Sequence, residues 1–336
     1  MRALLSANYR LVWASALLCA AALGTPTAHA QDKADSYPRR PVKLIVPFAP
    51  GGSTDIVARL VADAMHTSLG QPVVVDNRAG AAGLIGADAV AKAAPDGYTI
   101  GVGTISTLAV NTVVLKSARH DPLTAFAPIT TLAQIPSVFS AHPSMGVSDF
   151  QSFVATVRAQ PDHYTIGSSG VGSIGHLIAE SMNETLGIRL RHIPYKGQGP
   201  VVNSALAGET QVLSDQYPSS AALVQSGKLV PFAVAAHQRL PALPQVPTLA
   251  EQGYPALNRL AITWFGLVAP AGTPPAVVDK LNHAAHAALR SPALQERLQQ
   301  LGVQPLGSTP AEFATLIEDT RAQIEKIVAK RKIALD

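Results

Sequence analysis

The chain has 336 residues, 47% of them hydrophobic, 14% charged and 5% aromatic, with 25 Gly and 26 Pro. Charge is low against the usual share of about 25% and apolar content is ordinary, which excludes disorder, collagen and coiled coil. The net charge of +4 includes Arg2 and Arg10 of the first thirty residues, and the one basic run beyond them is the tail at 326–332, so there is no electrostatic footprint for nucleic acid.

Residues 1–10 hold two arginines and no acid, 11–23 are almost wholly apolar, and Ala28-His29-Ala30 is a small-x-small cleavage site before Gln31. These are the three parts of a secretory signal. The apolar run is shorter than the roughly 20 residues a membrane helix needs, so a signal peptide over 1–30, cleaved after Ala30, and a soluble periplasmic product are expected. Cys19 is the only cysteine and leaves with the signal, so neither disulfide nor thiolate chemistry is expected of the mature chain.

Short apolar runs then alternate with helical patterns, the mark of βαβ units. Residues 42–47 read as a strand and 53–69 as a helix closed by Gly70, with Val57, Leu60, Val61, Ala64 and Ser68 at i, i+3, i+4 spacing. A strand at 72–76, a helix at 83–94 and a strand at 99–104 complete one βαβαβ half. Residues 126–142 look extended throughout. The rhythm restarts with strands at 164–168, 190–194 and 211–214, helices at 173–186 and 200–207, and a strand at 229–236 after another short helix. A strand at 262–269 precedes helices at 274–289, 292–301 and 310–330, the first with Thr273 as N-cap and Pro274 at N1. At roughly 100–200 residues per domain, this predicts two mainly parallel sheets flanked by helices. Lobe 1 is 31–134 with 252–336, lobe 2 is 135–251, and the site lies in a cleft beyond the strand C-termini.

Three strand-to-helix loops are candidates for that cleft. In the first, 47–55, Gly51 and Gly52 allow close backbone approach and the helix start offers unpaired N–H groups, with Ser53 as the alternative N-cap. The second, 103–107, presents the hydroxyls of Thr104 and Ser106. The third, 168–175, contains G-x-G-x-x-G, yet the strand after it ends Ile193-Pro194-Tyr195-Lys196 without the carboxylate a ribose needs. That removes dinucleotide binding and leaves backbone capture of an anion. Asp215 ends a strand, where it caps the next helix or accepts from a ligand. Nucleotide, metalloprotease and hydrolase-elbow motifs are absent, so no cofactor, no metal and no catalytic residue are expected.

At these residues the chain resembles the Bug-type solute-binding proteins, receptors of tripartite tricarboxylate transporters. The resemblance spans residues 37–330. It is carried by the 47–55 loop, Asn77-Arg78-Ala79-Gly80-Ala81-Ala82-Gly83, Pro95-Asp96-Gly97-Tyr98-Thr99, the 168–176 stretch, Pro194-Tyr195-Lys196-Gly197, Pro247-Thr248-Leu249-Ala250-Glu251 and Ala269-Pro270-Ala271-Gly272-Thr273-Pro274. Ala82 and Leu84 depart from the glycine and asparagine usual there. The resemblance implies a periplasmic-binding-protein type II fold that closes on a small carboxylated ligand, a monomer, and a membrane permease or sensor as partner. It implies ligand contacts from Phe48, Gly51, Gly52, Ser53 and Asp55 in lobe 1, with Thr104 and Ser106 beside them. Ser168, Ser169, Gly172 and Ser173 contribute from lobe 2, with Asp215 at the far end. Two other classes stay open: an exported serine hydrolase using Ser169 or Ser173 with His176, and a sensory receptor without transport.

Overall fold

Runs of aliphatic and β-branched residues form the strands, and glycine or proline ends most of the helices between them. The computed structural model of the protein describes residues 37–118 and 121–331; the expected signal at 1–30, with Cys19, lies outside them. Residues 40–336 form one unit.

In chain order β1 (Val42–Val46) leads to α1 (Ser53–Leu69), β2 (Val73–Asn77), α2 (Leu84–Ala91) and β3 (Thr99–Thr104). α1 buries Val57, Ala58, Val61, Ala62 and Met65 and stops at Gly70, whose φ of 64° is left-handed. An L side chain there costs about 1–2 kcal/mol. The extended segment breaks at Pro136 into β4 (Phe126–Ile135) and β5 (Ser137–Ala141), which belong to different sheets. A proline has no N–H to continue a ladder, so it suits the point of transfer.

Sequence reading assigned nothing to 143–163; α3 (Phe150–Ala159) lies there, started by a capping box between Asp149 and Ser152. Then come β6 (Thr165–Ser168), α4 (Ile174–Leu186), β7 (Arg191–Pro194), α5 (Gln198–Leu206), β8 (Val212–Gln216), α6 (Tyr217–Gln225) and β9 (Val230–Ala235). The chain closes with α7 (Pro255–Ala261), β10 (Thr263–Pro270), α8 (Pro275–Leu289), α9 (Pro292–Gln300), β11 (Gln304–Pro305) and α10 (Pro310–Arg331). α8 starts one residue later than expected: Pro274 is the N-cap, with ψ 135°. Pro275 excludes the helical region for the residue before it, and the Thr273 hydroxyl donates to the Pro270 carbonyl instead (2.8 Å).

The six-stranded sheet runs β11-β4-β10-β3-β1-β2 and the five-stranded sheet β7-β6-β8-β5-β9. Each contains a parallel trio with its first strand in the middle, β1 between β2 and β3, β6 between β7 and β8. Each is extended through an antiparallel strand, β10 beside β3 and β5 beside β8, and beyond it β4 and β9 run the same way as the trio again. Four strands of each sheet thus share one direction, as expected of mainly parallel sheets, with β10, β11 and β5 set against them. β5 and β10, which arrive from elements of the opposite sheet, enter against the βαβ direction. The β10 return also folds the C-terminal part onto the first sheet. Among the described residues no helix is long and apolar enough to cross a membrane.

Candidate ligand site

Parallel strands deliver their C-terminal residues to one end of a sheet, and helices that follow them start there. Thr104 at the end of β3, Asp215 and Gln216 at the end of β8, and the first turns of α1 (Thr54) and α4 (Ile174, Gly175) all reach one cavity. It leaves about 40 Å³ for the centres of water-sized spheres, room for a few waters.

The cavity wall is rich in hydroxyl and amide groups and has a single charged side chain, Asp215. The first N–H groups of a helix have no intrahelical acceptor, and the helix end carries a partial positive charge. α1 and α4 bring two such ends to the same space, one from each βαβαβ half. Contacts from Ser53, Ser106 and Ala49 join the halves around it. The Ser53 hydroxyl donates to the Gln216 carbonyl (2.8 Å), accepts from the Ser219 N–H (3.1 Å), and lies 2.9 Å from the Ser219 hydroxyl. Ser106 Oγ accepts from the Ile174 N–H at the start of α4 (3.0 Å). Ala49 N–H donates to the Lys196 carbonyl (3.3 Å).

Of the twelve residues expected from the sequence, Phe48, Gly52, Thr104, Ser106, Ser169 and Asp215 line the cavity. Gly51, Ser53, Asp55, Ser168, Gly172 and Ser173 do not, and each has other work. Gly51 N–H donates to Asp55 Oδ2 (3.1 Å), and Asp55 also takes bonds from Asn77 Nδ2 (2.9 Å) and Arg59 Nε (3.1 Å), bracing the 47–55 loop. Burial alone would raise the Asp55 pKa, yet the bonds from Arg59, Asn77 and Gly51 hold it below the ordinary carboxylate value. Ser53 is the first residue of α1 rather than its N-cap, which is Gly52.

The first two glycines of the third loop, Gly170 and Gly172, serve protein contact. Gly172, at φ 81°, faces Leu115, which would stand 2.6 Å from a Cβ, and Gly170, at φ 133°, faces the backbone of Ala82 at 3.1 Å. Ser173 is the N-cap of α4 and accepts from His176 N–H (3.2 Å).

Ser168 Oγ is 2.6 Å from His192 Nε2, and the His192 ring stacks on His176 with centroids 3.7 Å apart. Burial pushes both imidazoles down to about 4, His192 also through the neighbouring His176. His176 Nδ1 accepts from Gly172 N–H (3.3 Å), and its Nε2 lies 3.8 Å from Glu180, so its ring is engaged away from Ser169 and Ser173. The Ser168 hydroxyl is wholly buried and shared with Gly170. A nucleophile needs an accessible oxygen as well as a base, and the Ser168 oxygen is wholly buried.

Sequence reasoning missed Ser137, Gln198, Gln216, Thr263 and Trp264 in the cavity wall. Thr263 and Trp264 get there because β10 is antiparallel to β3 with Phe265 opposite Thr104, so its beginning lies past the end of β3. Ser137 is placed likewise, opposite Gln216. Only pairing direction reveals this, and no local pattern encodes it.

Residues 57–333 match the family model described as "Tripartite tricarboxylate transporter family receptor". Protein BugT of Bordetella pertussis is 38% identical over 287 residues, which are 85% of this chain and 87% of BugT. The structure of the periplasmic binding protein BugD is 35% identical with a TM-score of 0.85, covering 89% of this chain and 99% of BugD. The R. palustris protein Rpa4515, solved with adipate, is also 35% identical with a TM-score of 0.85, over 89% of this chain and 99% of that one.

Proposed function

Because this chain belongs to the tripartite tricarboxylate transporter receptor family, we propose that it captures a small carboxylated organic anion in the cavity between its two βαβαβ halves. The family is one of solute-binding receptors, not of enzymes. The observation that carries the reading is the meeting of the first turns of α1 and α4 at one hydroxyl-lined space. Each helix end contributes about 0.3–1 kcal/mol when exposed and up to roughly 2 when partly buried, and charge-assisted bonds add roughly 1.5–3 each. Two ends and three or four such bonds sum to roughly 5–16 kcal/mol before the cost of association, the size a micromolar receptor at roughly −8 kcal/mol calls for. No arginine clamp is required. The adipate held by Rpa4515 supports the choice of a carboxylate.

The proposal extends to motion and place. Residues 31–134 with 252–336 act as lobe 1 and 135–251 as lobe 2, the lobes close on the guest, and Ser53 and Ser106 join them when shut. Phe48, Gly52, Thr104, Ser106, Ser169 and Asp215 face the guest, whereas Gly51, Ser53, Asp55, Ser168, Gly172 and Ser173 hold the loops that present it. A signal over 1–30 sends the chain to the periplasm, where it works as a monomer and delivers its guest to a membrane permease. The test is a panel of carboxylates, amines and sugars screened by thermal shift and calorimetry on the purified protein. Saturable binding of one or more carboxylates is expected; saturable binding confined to cations or sugars refutes the reading.

A further inference from the structure

The one charged side chain in the cavity wall has the same sign as the proposed guest. Asp215 is 1% exposed. The elements around it contribute Thr54 of α1, Ser137 of β5, Gln198 of α5, Ser214 and Gln216 of β8 and Thr263 of β10, all uncharged, and no other titratable side chain lines the space. Asp55 and Arg59 are paired to each other, and His176 and His192 stack in their own cluster, none of them lining the cavity.

Ser219 Oγ lies 2.7 Å from both carboxyl oxygens of Asp215, but a hydroxyl has one proton to give. An ionised carboxylate buried among neutral donors, with no cation, carries a charge that nothing neutralises. Burial pushes its pKa up to about 7 in spite of hydrogen bonds from Ser219, Ser220, the Gln216 backbone and Gln198. A second carboxylate brought into the same space raises it further, as when two carboxylates share a site. As an acid, by contrast, the group has a hydrogen bond to offer.

We propose that Asp215 meets the guest as a carboxylic acid, taking one proton from solvent as the anion enters and donating it in a hydrogen bond to a guest oxygen. The proton stays on Asp215, the guest keeps its charge, and the cavity wall becomes neutral, so the two helix ends dominate its field. This inference rests on the carboxylate reading above. It differs from that reading in requiring a change in bound protons.

Calorimetry in buffers of different ionisation enthalpy counts those protons. With adipate, or whichever carboxylate of the panel gives saturable heat, uptake approaching one proton per guest is expected at pH 8. Affinity is expected to fall by about tenfold per pH unit above that. Asp215→Asn is expected to bind with no proton uptake and a flat profile from pH 7 to 9. Binding to the wild-type protein with no uptake, or with release, overturns the inference and leaves the carboxylate reading standing. Failure of every carboxylate to bind overturns both. Should Asp215→Asn fail to fold, the wild-type proton count decides alone.

Discussion

Replacing Ser53 by alanine removes one hydroxyl from a fully buried position and, with it, the bonds to the Gln216 carbonyl and the Ser219 N–H. Ser219 is the third residue of α6, and the N-cap of that helix, Gln216, makes no side-chain cap of its own. Ser53 therefore supplies, from the opposite half, the acceptor that an N-cap side chain ordinarily provides. Losing a cap costs about 1 kcal/mol, while the Gln216 carbonyl keeps the bond it accepts from the Ser219 hydroxyl (3.0 Å). If the contact forms only when the halves meet on a guest, the whole of this appears as affinity, about fivefold at about 1.4 kcal/mol per decade. Titration of wild type and Ser53→Ala with the same carboxylate measures it, and a cycle with Ser219→Ala is expected to show coupling of at least about 0.5 kcal/mol. A ligand contact would instead weaken some guests more than others, whereas a joint between halves weakens all alike. An affinity within twofold of wild type, with additive effects in the cycle, refutes the reasoning.

Two further outcomes test other parts of the structure. Gly70→Ala puts a side chain in open space at φ 64°, so its cost is conformational, about 1–2 kcal/mol. The melting temperature is expected to fall by about 2–5 °C with guest affinity unchanged, and an unaltered melting temperature counts against the left-handed C-cap. The His176–His192 stack makes stability sensitive to acid. Both folded values are about 4 against 6.5 for the free side chain. Between those pH values the unfolded chain binds protons that the folded chain does not, so stability is full above about pH 6.5 and falls as pH drops towards 4. Denaturant unfolding at pH 7 and pH 5 is expected to show a smaller acid loss for His176→Gln than for wild type. Equal losses would show that the stack does not set this dependence.

The elements with sharp punctuation were legible in the sequence. α1 runs from Ser53 to Leu69 as its periodicity and Gly70 require, and β3 covers Thr99–Thr104 as expected. Segment 126–142 was legible as extended but not as two strands of two sheets, because partner choice at Pro136 is a long-range matter. α3 announces itself only through Asp149 and Ser152, a capping pair that is easy to pass over in a polar stretch. At the site, the loops were legible and the direction of their side chains was not. The motifs behind the family resemblance largely hold loops together. Asn77 binds the Phe48 carbonyl and Asp55, Lys196 receives Ala49, and Thr248 and Glu251 exchange bonds with each other. Residue type at a loop says that the loop matters, while burial and partner decide whether a hydroxyl meets the guest or another part of the chain.

The chain passes between its sheets at Pro136 and again ahead of β10, and Ser137 Oγ donates to the Ala261 carbonyl across these two passages (2.6 Å). Two ribbons tied side by side resist sliding past one another far more than they resist bending. In the proposed closure they would act as an axle, leaving the halves a swing about it. On that proposal, guests of different length would alter how far the swing runs before the jaws touch, and the same jaw surfaces would serve each of them.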